Sequence, residues 1–439
     1  MNNKRNHVAA PLAWLALSFG MLGATAPAAS AVPAQAAQPK YTMAEYKAYQ
    51  TAAAETNPQQ KAKLLDGFVA QYPTSELLGY VYDEYLKVYS QMKEWPKVIE
   101  YFDKKLALPN LEKGVRLQTL YGRAATFELA YNPKSNDLAS SATKARDAAA
   151  EGSKLLGTFE KPAQATDDQW AAFKKQYSTQ FLNTAGSASY YLKDYKAAAQ
   201  YYHDSLAVDP TQAVDDYRMG VADLQSTPPQ SVAGFWALAR AINLKIPDAD
   251  KVTKFLHDKM YEYQQPGCES SVDAQIRELL ALSANATDPP ANFNVPSAAD
   301  LGKVRESANI QTVLADLKAG GDKGKVTWLA VCSGEFPEAL AKVSEVNAAA
   351  PDAITMKAVV GTTEEELNGA TASNSDLKLA AGQPDAVRLE KDSIFRFAGK
   401  LTGYTPDPFN LAWENVKVNP EDIPEEKGKK PAKKPGKKP

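Results

Sequence analysis

Between residues 179 and 211, small or apolar side chains recur at three- and four-residue steps. Leu182, Ala185, Ser189 and Leu192 fall on one face of a helix. Lys193-Asp194 interrupts the pattern. Ala198, Tyr202 and Ser205 then line one side of a second helix, which stops at Asp209-Pro210 because proline disfavours helix in the residue before it. The stretch predicts two short amphipathic helices joined by a tight polar turn.

The pattern recurs along the first half of the chain. Tyr82-x2-Tyr85-Leu86-x2-Tyr89, Lys93-Glu94-Trp95, Val98-x3-Phe102 and Leu106 follow the same order, with Pro109 closing. Val98 and Ala198 stand 100 residues apart, close to three periods of about 34. Met219-Gly220 and Gly234-x3-Leu238-x2-Ala241, ending at Pro247, make a further unit. Ala62-x-Leu64-Leu65 with Phe68 to Tyr72-Pro73, and Leu120-Tyr121-Gly122 with the alanine-rich 139–156, supply the others.

Leu182-x2-Ala185-Gly186, Ala198-x3-Tyr202-x2-Ser205 and Pro210 resemble a tetratricopeptide repeat of bacterial cell-envelope type. Small residues at Gly186, Ala198 and Ser205 let two helices approach closely, and Tyr202 fills the groove beside them. Lys105 stands where a small residue is expected, and Lys93 and Lys193 where glycine is common. The resemblance implies a mainly α fold, a TPR-like α-solenoid: a right-handed superhelix of about five degenerate helix-turn-helix repeats over 43–247.

Two more helical patterns follow, over Val252, Phe255, Leu256 and Met260 and over Val272, Ile276, Leu279 and Leu280. They predict capping helices across 248–284, sealing the end of the array. A Pro/Asn-rich stretch, 285–297, reads as a linker. One helix is expected at 298–318, and then the texture changes. Short β-favouring runs at 326–332, 354–360, 377–380, 394–401 and 411–418 are separated by turn residues. They predict a small antiparallel β-domain within 298–419, interrupted by an alanine-rich helix at 337–346. Phe395-x-Phe397-x-Gly399-x-Leu401 with Phe409-x-Leu411 is similar to an oligomer-binding small barrel.

Both ends read differently from the body. Lys4 and Arg5, an apolar run over 8–24 and the small residues Ala29-Ser30-Ala31 predict a cleaved signal peptide, 1–31, ahead of a short linker, 32–42. No later stretch is long and apolar enough to cross a membrane, so the expected location is periplasmic or secreted. There, Cys268 and Cys332 are candidates for a disulfide, with two separately buried thiols as the other reading. The tail, 420–439, is expected to be disordered: from Pro424 on it carries seven lysines among Pro, Gly and Ala and nothing to build a core. The formal charge of the chain is −2; with the basic ends set aside, the body carries about −11. The tail could fold back on that body, meet an anionic envelope surface, or keep the chain soluble. Nucleic acid is not expected as a partner.

Little in the sequence points to catalysis. Of the three histidines, His203 and His257 have no second histidine or cysteine at ligand spacing, so no metal is expected. Residues 319–326 resemble a phosphate loop only in their glycines and lysines: the leading glycine and the Ser/Thr after lysine are absent. No nucleophile-elbow or HExxH pattern occurs. A non-enzymatic protein without a cofactor is the expectation.

What the repeat resemblance implies is binding: the first helix of each unit lines a concave wall that holds a protein or peptide. The inward positions fall on Gln180, Asn183, Ser187 and Tyr190 in one unit and on Tyr80, Asp83, Lys87 and Gln91 in an earlier one. Asn183 stands out, because a side-chain amide pairs with a peptide backbone as both donor and acceptor. The alternative reading places a glycan or other envelope polymer on the C-terminal β-domain, with the repeats used for oligomerisation.

Overall fold

The structure is a computed structural model that describes residues 40–425 except 133, 351 and 352. The expected signal peptide and the lysines of the tail lie outside the described residues. The chain forms two compact units, one up to Val81 and one from Tyr82 on.

In the first unit, α1 (Met43–Ala54) and α2 (Pro58–Gln71) make a hairpin. The side chains of Thr42 and Asn57 cap the two helices by accepting from backbone N–H groups that have no partner within the helix. Ala52 of α1 and Ala62, Leu65 and Phe68 of α2 are its buried residues. Helix α3 (Leu78–Gln91) crosses from this unit into the next.

In the second unit α4 (Trp95–Leu106), α5 (Lys113–Thr126), α6 (Leu138–Leu156), α7 (Asp167–Tyr191), α8 (Tyr195–Val208), α9 (Ala213–Gln225), α10 (Ser231–Asn243), α11 (Ala249–Gln264) and α12 (Ser270–Ser283) follow. Each packs on the next in chain order, the arrangement of stacked helical hairpins. A Cβ added at Gly186 would stand 2.8 Å from the Tyr202 ring, so α7 and α8 meet at a distance only glycine allows. The turns repeat one geometry. Lys93, Lys193 and Lys245 all take left-handed φ, +58°, +63° and +58°. After each, the next N–H closes back on the helix: Glu94 to the Tyr89 carbonyl, Asp194 to Ser189 and Ile246 to Ala241. The lysines that stand where glycine is common thus keep the backbone that glycine would serve.

Leu256 and Met260 of α11 and Val272 and Ile276 of α12 share one apolar cluster with Phe235 and Leu238 of α10. The irregular stretch 285–297 is packed rather than free. Phe293 meets the Trp236 ring edge-on, Val295 is buried, and the Thr287 carbonyl accepts from Trp236 Nε1 and Arg240 Nη1.

The next segment departs from the expectation in three places. The single helix expected at 298–318 is two, α13 (Ala298–Ser307) and α14 (Ile310–Ala319), broken where Asn309 caps the second. The run 326–332 is not a strand but the end of α15 (Gly321–Val331), whose Thr327 donates to Asp316 of α14 while Leu329, Ala330 and Val331 are buried. Short apolar runs do not distinguish strand from buried helix. Conversely the expected helix at 337–346 is the middle of a sixteen-residue strand, β1 (Glu335–Ala350). Ala339, Ala341 and Val343 point inward at period two, and alanine's helical preference yields to pairing on both edges. Pro337 sits in the irregularity of the β1–β4 pairing, where no N–H is called for.

With β2 (Ala353–Gly361), β3 (Ser375–Leu379), β4 (Ile394–Pro406) and β5 (Phe409–Val418), β1 closes a barrel in the order β1-β2-β3-β5-β4. One short helix, α16 (Glu364–Gly369), follows β2. The sheet is mixed, not antiparallel: β3 and β5 run parallel, because the chain must cross from β3 past β5 to begin β4. Phe336, Phe395, Phe397, Leu411 and Trp413 fill the interior. Closure leaves no strand edge exposed.

The barrel segment is tied to the array. Cys268, before α12, is bonded to Cys332, after α15. Beside the bridge, Gly267 N–H donates to the Leu329 carbonyl, and Arg305 donates to the carbonyls of Gln265 and Ala330. Lys325 meets Glu278 at 2.6 Å. Of the two sequence readings of the cysteines, the disulfide holds.

Candidate functional site

Helix α7 is the longest helix among the described residues, at 25 residues. Its start is fixed by a reciprocal cap between Thr166 and Gln169, with Asp167 and Asp168 in the first turn, where negative charge suits the helix dipole. Three of its faces are committed to neighbours. Tyr177, Phe181 and Thr184 meet α5, with Thr184 Oγ1 donating to the Ala124 carbonyl at 3.1 Å. Gly186 meets Tyr202 of α8. Ser187 and Tyr190 bond to side chains of α9.

Those bonds form a polar network across three first helices. Arg218 of α9 places Nη2 2.6 Å from Glu128 Oε2, just beyond α5, and Nη1 3.3 Å from Ser187 Oγ. Ser187 also bonds to Glu128, and its hydroxyl lies 3.0 Å from the Tyr202 hydroxyl behind it. Burial pushes the Tyr202 phenol well above its usual value, so the ring stays neutral. Arg218 and Glu128 are 31% and 37% exposed, so the pair is held from behind and open in front. Burial also raises Asp215, on the first turn of α9, to about 6, while Ser205, Arg218 and Asn183 draw it back. On either side, amide-to-phenol bonds repeat the link between first helices: Gln176 to Tyr121 at 3.1 Å and Gln225 to Tyr190 at 2.9 Å.

The expected inward residues divide accordingly. Gln180 donates to Thr184 and is half-buried. Ser187, expected on an open wall, is 3% exposed and serves as the hub of the network. Tyr190 is occupied by Gln225. Asn183 Oδ1 is buried and makes no hydrogen bond among the described residues, as does Thr179 Oγ1 one turn earlier. In the earlier unit, Asp83 is committed to Lys105: the lysine at the small-residue position is buried, and its Nζ lies 2.5 Å from Asp83 Oδ1. Lys87 pairs with Glu84 at 2.6 Å, and Gln91 is exposed. Tyr80, in the first unit, is 60% exposed, with its ring 6.2 Å from that of Tyr49.

Glu128 and Arg218, which the sequence reading missed, are ninety residues apart. The available signal was local: a charge inside the otherwise apolar run Phe127-Glu128-Leu129-Ala130, and another facing the small stripe of α9.

No helix among the described residues is long and apolar enough to cross a membrane. No protein-family model matches the chain, and no curated protein matches it. Among solved structures, it is similar to the C-terminal part of a TPR repeat-containing protein from Cytophaga hutchinsonii, at 13% identity and a TM-score of 0.24, over 56% of this chain and 96% of that one. At that TM-score the likeness carries no argument; the stacked hairpins rest on the helices, turns and packing described above.

Proposed function

We propose that this protein is an exported, non-catalytic scaffold that holds an extended segment of a protein partner against the inner faces of α5, α7 and α9. The observation that carries the reading is the Glu128–Arg218 pair, fixed from behind by Ser187 and Tyr202 and about one-third exposed in front. Such a pair is already ordered, so a partner with complementary charges meets it at little entropic cost. Gln180, half-buried and donating to Thr184, lies two turns before Ser187 on the same helix. The Cys268–Cys332 bridge supports export, since structural disulfides persist in oxidising compartments. The test is crosslinking in the native cells with captured species identified by mass spectrometry. One protein partner, lost with Arg218→Gln in a chain that still folds, supports the proposal. Envelope polymer fragments without any protein would sink it and favour the β-domain instead.

A further inference from the structure

The side-chain amides of Gln176 and Gln180 stand one turn apart on α7, and each has its nitrogen tied down. Gln176 Nε2 donates to the Tyr121 hydroxyl of α5 at 3.1 Å, and Gln180 Nε2 donates to Thr184 Oγ1 at 3.2 Å. The second bond fixes which way its amide faces. Thr184 gives its own hydrogen to the Ala124 carbonyl, so towards Gln180 its oxygen can only accept. With both nitrogens engaged, Oε1 of Gln176 and Oε1 of Gln180 receive no hydrogen bond among the described residues. Gln176 is exposed and Gln180 half-buried. Asn183 Oδ1, three residues on, is buried; the Gln180 oxygen is not.

Two acceptors one helical turn apart are separated by about 6 Å along the axis. An extended chain presents the N–H groups of residues i and i+2 on one edge, about 6.6–6.8 Å apart. The two repeats agree to within about an ångström. A helical partner has its N–H groups engaged internally, and proline has none to give. Beside the amides lies an apolar ledge. The rings of Tyr121 and Tyr177 are 4.4 Å apart, as are those of Tyr177 and Phe173, and all three are half-buried. Such a ledge takes up apolar side chains of many shapes.

We propose that Gln176 and Gln180 read the backbone of an extended partner segment, their two carbonyl oxygens accepting from N–H groups two residues apart, so that this face takes strand-like or unfolded segments of many sequences. The inference rests on the reading above that the face holds a protein, and adds what that protein must present. Main-chain bonds then supply the affinity, as when a strand adds to a sheet edge, and side chains select only weakly. Because Tyr121 and Thr184 already hold the two amides, little ordering accompanies binding.

Polarisation titrations of the full chain with fluorescent peptides about ten residues long test this. The probes are four peptides of unrelated sequence, each free of proline and carrying apolar residues, and an all-proline peptide of the same length. The four are expected to bind within about tenfold of one another, and the all-proline peptide at least about tenfold more weakly. Gln176→Met together with Gln180→Met weakens all four by about tenfold or more, and Gln176→Met alone, at an exposed position, by several-fold. Gln200→Met, exposed on α8, leaves them unchanged. All-proline binding as tight as the rest, or affinities indifferent to both substitutions, would overturn the proposal. If no probe binds while a protein is still captured at this face in the cell, the face reads side chains, and the backbone proposal falls alone. If nothing is captured either, the reading beneath it falls too.

Discussion

Arg218 reaches past α7 to Glu128, 2.6 Å away and ninety residues earlier in the chain, and the two together join hairpins that are not neighbours in sequence. Because both side chains keep about a third of their surface in water, solvent screens the attraction. A double-mutant cycle with Glu128→Gln and Arg218→Gln is expected to give a coupling of about 1 kcal/mol by urea unfolding, shrinking in 0.5 M salt. A coupling near zero would mean that the pair does not link the hairpins.

The contact of Gly186 with Tyr202 is the tightest test of the hairpin packing. A methyl at residue 186 would fall 2.8 Å from the ring, and Tyr202 is 2% exposed, with little room to move. Gly186→Ala is expected to cost about 1–3 kcal/mol in spite of alanine's better helix propensity. At Gly302, where nothing lies within 4 Å, the same substitution is expected to stabilise α13 by roughly 0.5–1 kcal/mol. Thermal melts of the two variants should move in opposite directions.

The turn lysines predict a gain. Lys193 holds φ at +63°, a conformation that costs an L-residue about 1–2 kcal/mol and costs glycine nothing sterically. Lys193→Gly is expected to stabilise by about 0.5–1 kcal/mol, with Lys193→Ala giving none of that gain.

The buried carboxylates of α9 set an unusual pH dependence. Burial raises Asp216 to about 7, with Arg240 opposing and Asp215 reinforcing the shift. Burial raises Asp215 and Asp223 to about 6. Each binds its proton more tightly folded than unfolded. The resulting stabilisation is fully present below the ordinary value of 3.8 and is lost as pH rises through 6 to 7. Asp209 acts oppositely: burial pushes it up, but bonds from Gln212, Thr211 and Lys175 win and hold it at about 2, so its contribution is lost as pH falls from 3.8 towards 2. The midpoint of thermal unfolding is therefore expected to be higher at pH 5 than at pH 8, and Asp216→Asn should flatten the difference. A midpoint that rises steadily from pH 5 to pH 8 would contradict this account of α9.

The hairpins were legible in the sequence because their signal is local. Gly186, Ala198, Tyr202 and the turn at Lys193 lie within twenty residues of one another, and each states its own packing role. The barrel was half legible. Phe395 and Phe397 announce an alternating strand, but β1 is rich in alanine and takes its conformation from pairing on both edges, one of them with β4 far along the chain, while the run before Cys332 has β-favouring residues and is held as a helix by α14. The site was legible as a face and not as a mechanism. Gln180, Asn183, Ser187 and Tyr190 share one helix and could be read together. That Ser187 is buried beneath an ion pair follows only from Glu128 and Arg218 meeting over it, which no local pattern records.

The central claim is that the inner face of α5, α7 and α9 receives a protein. The most direct measurement is photocrosslinking in the living cell from a probe placed at Gln180, compared with the same probe at Gln200, which is exposed on α8. Capture of one protein from position 180, absent from position 200 and lost when Arg218→Gln is added, is the predicted result. Equal capture from both positions, or none from 180 while the folded protein is present, would contradict the account.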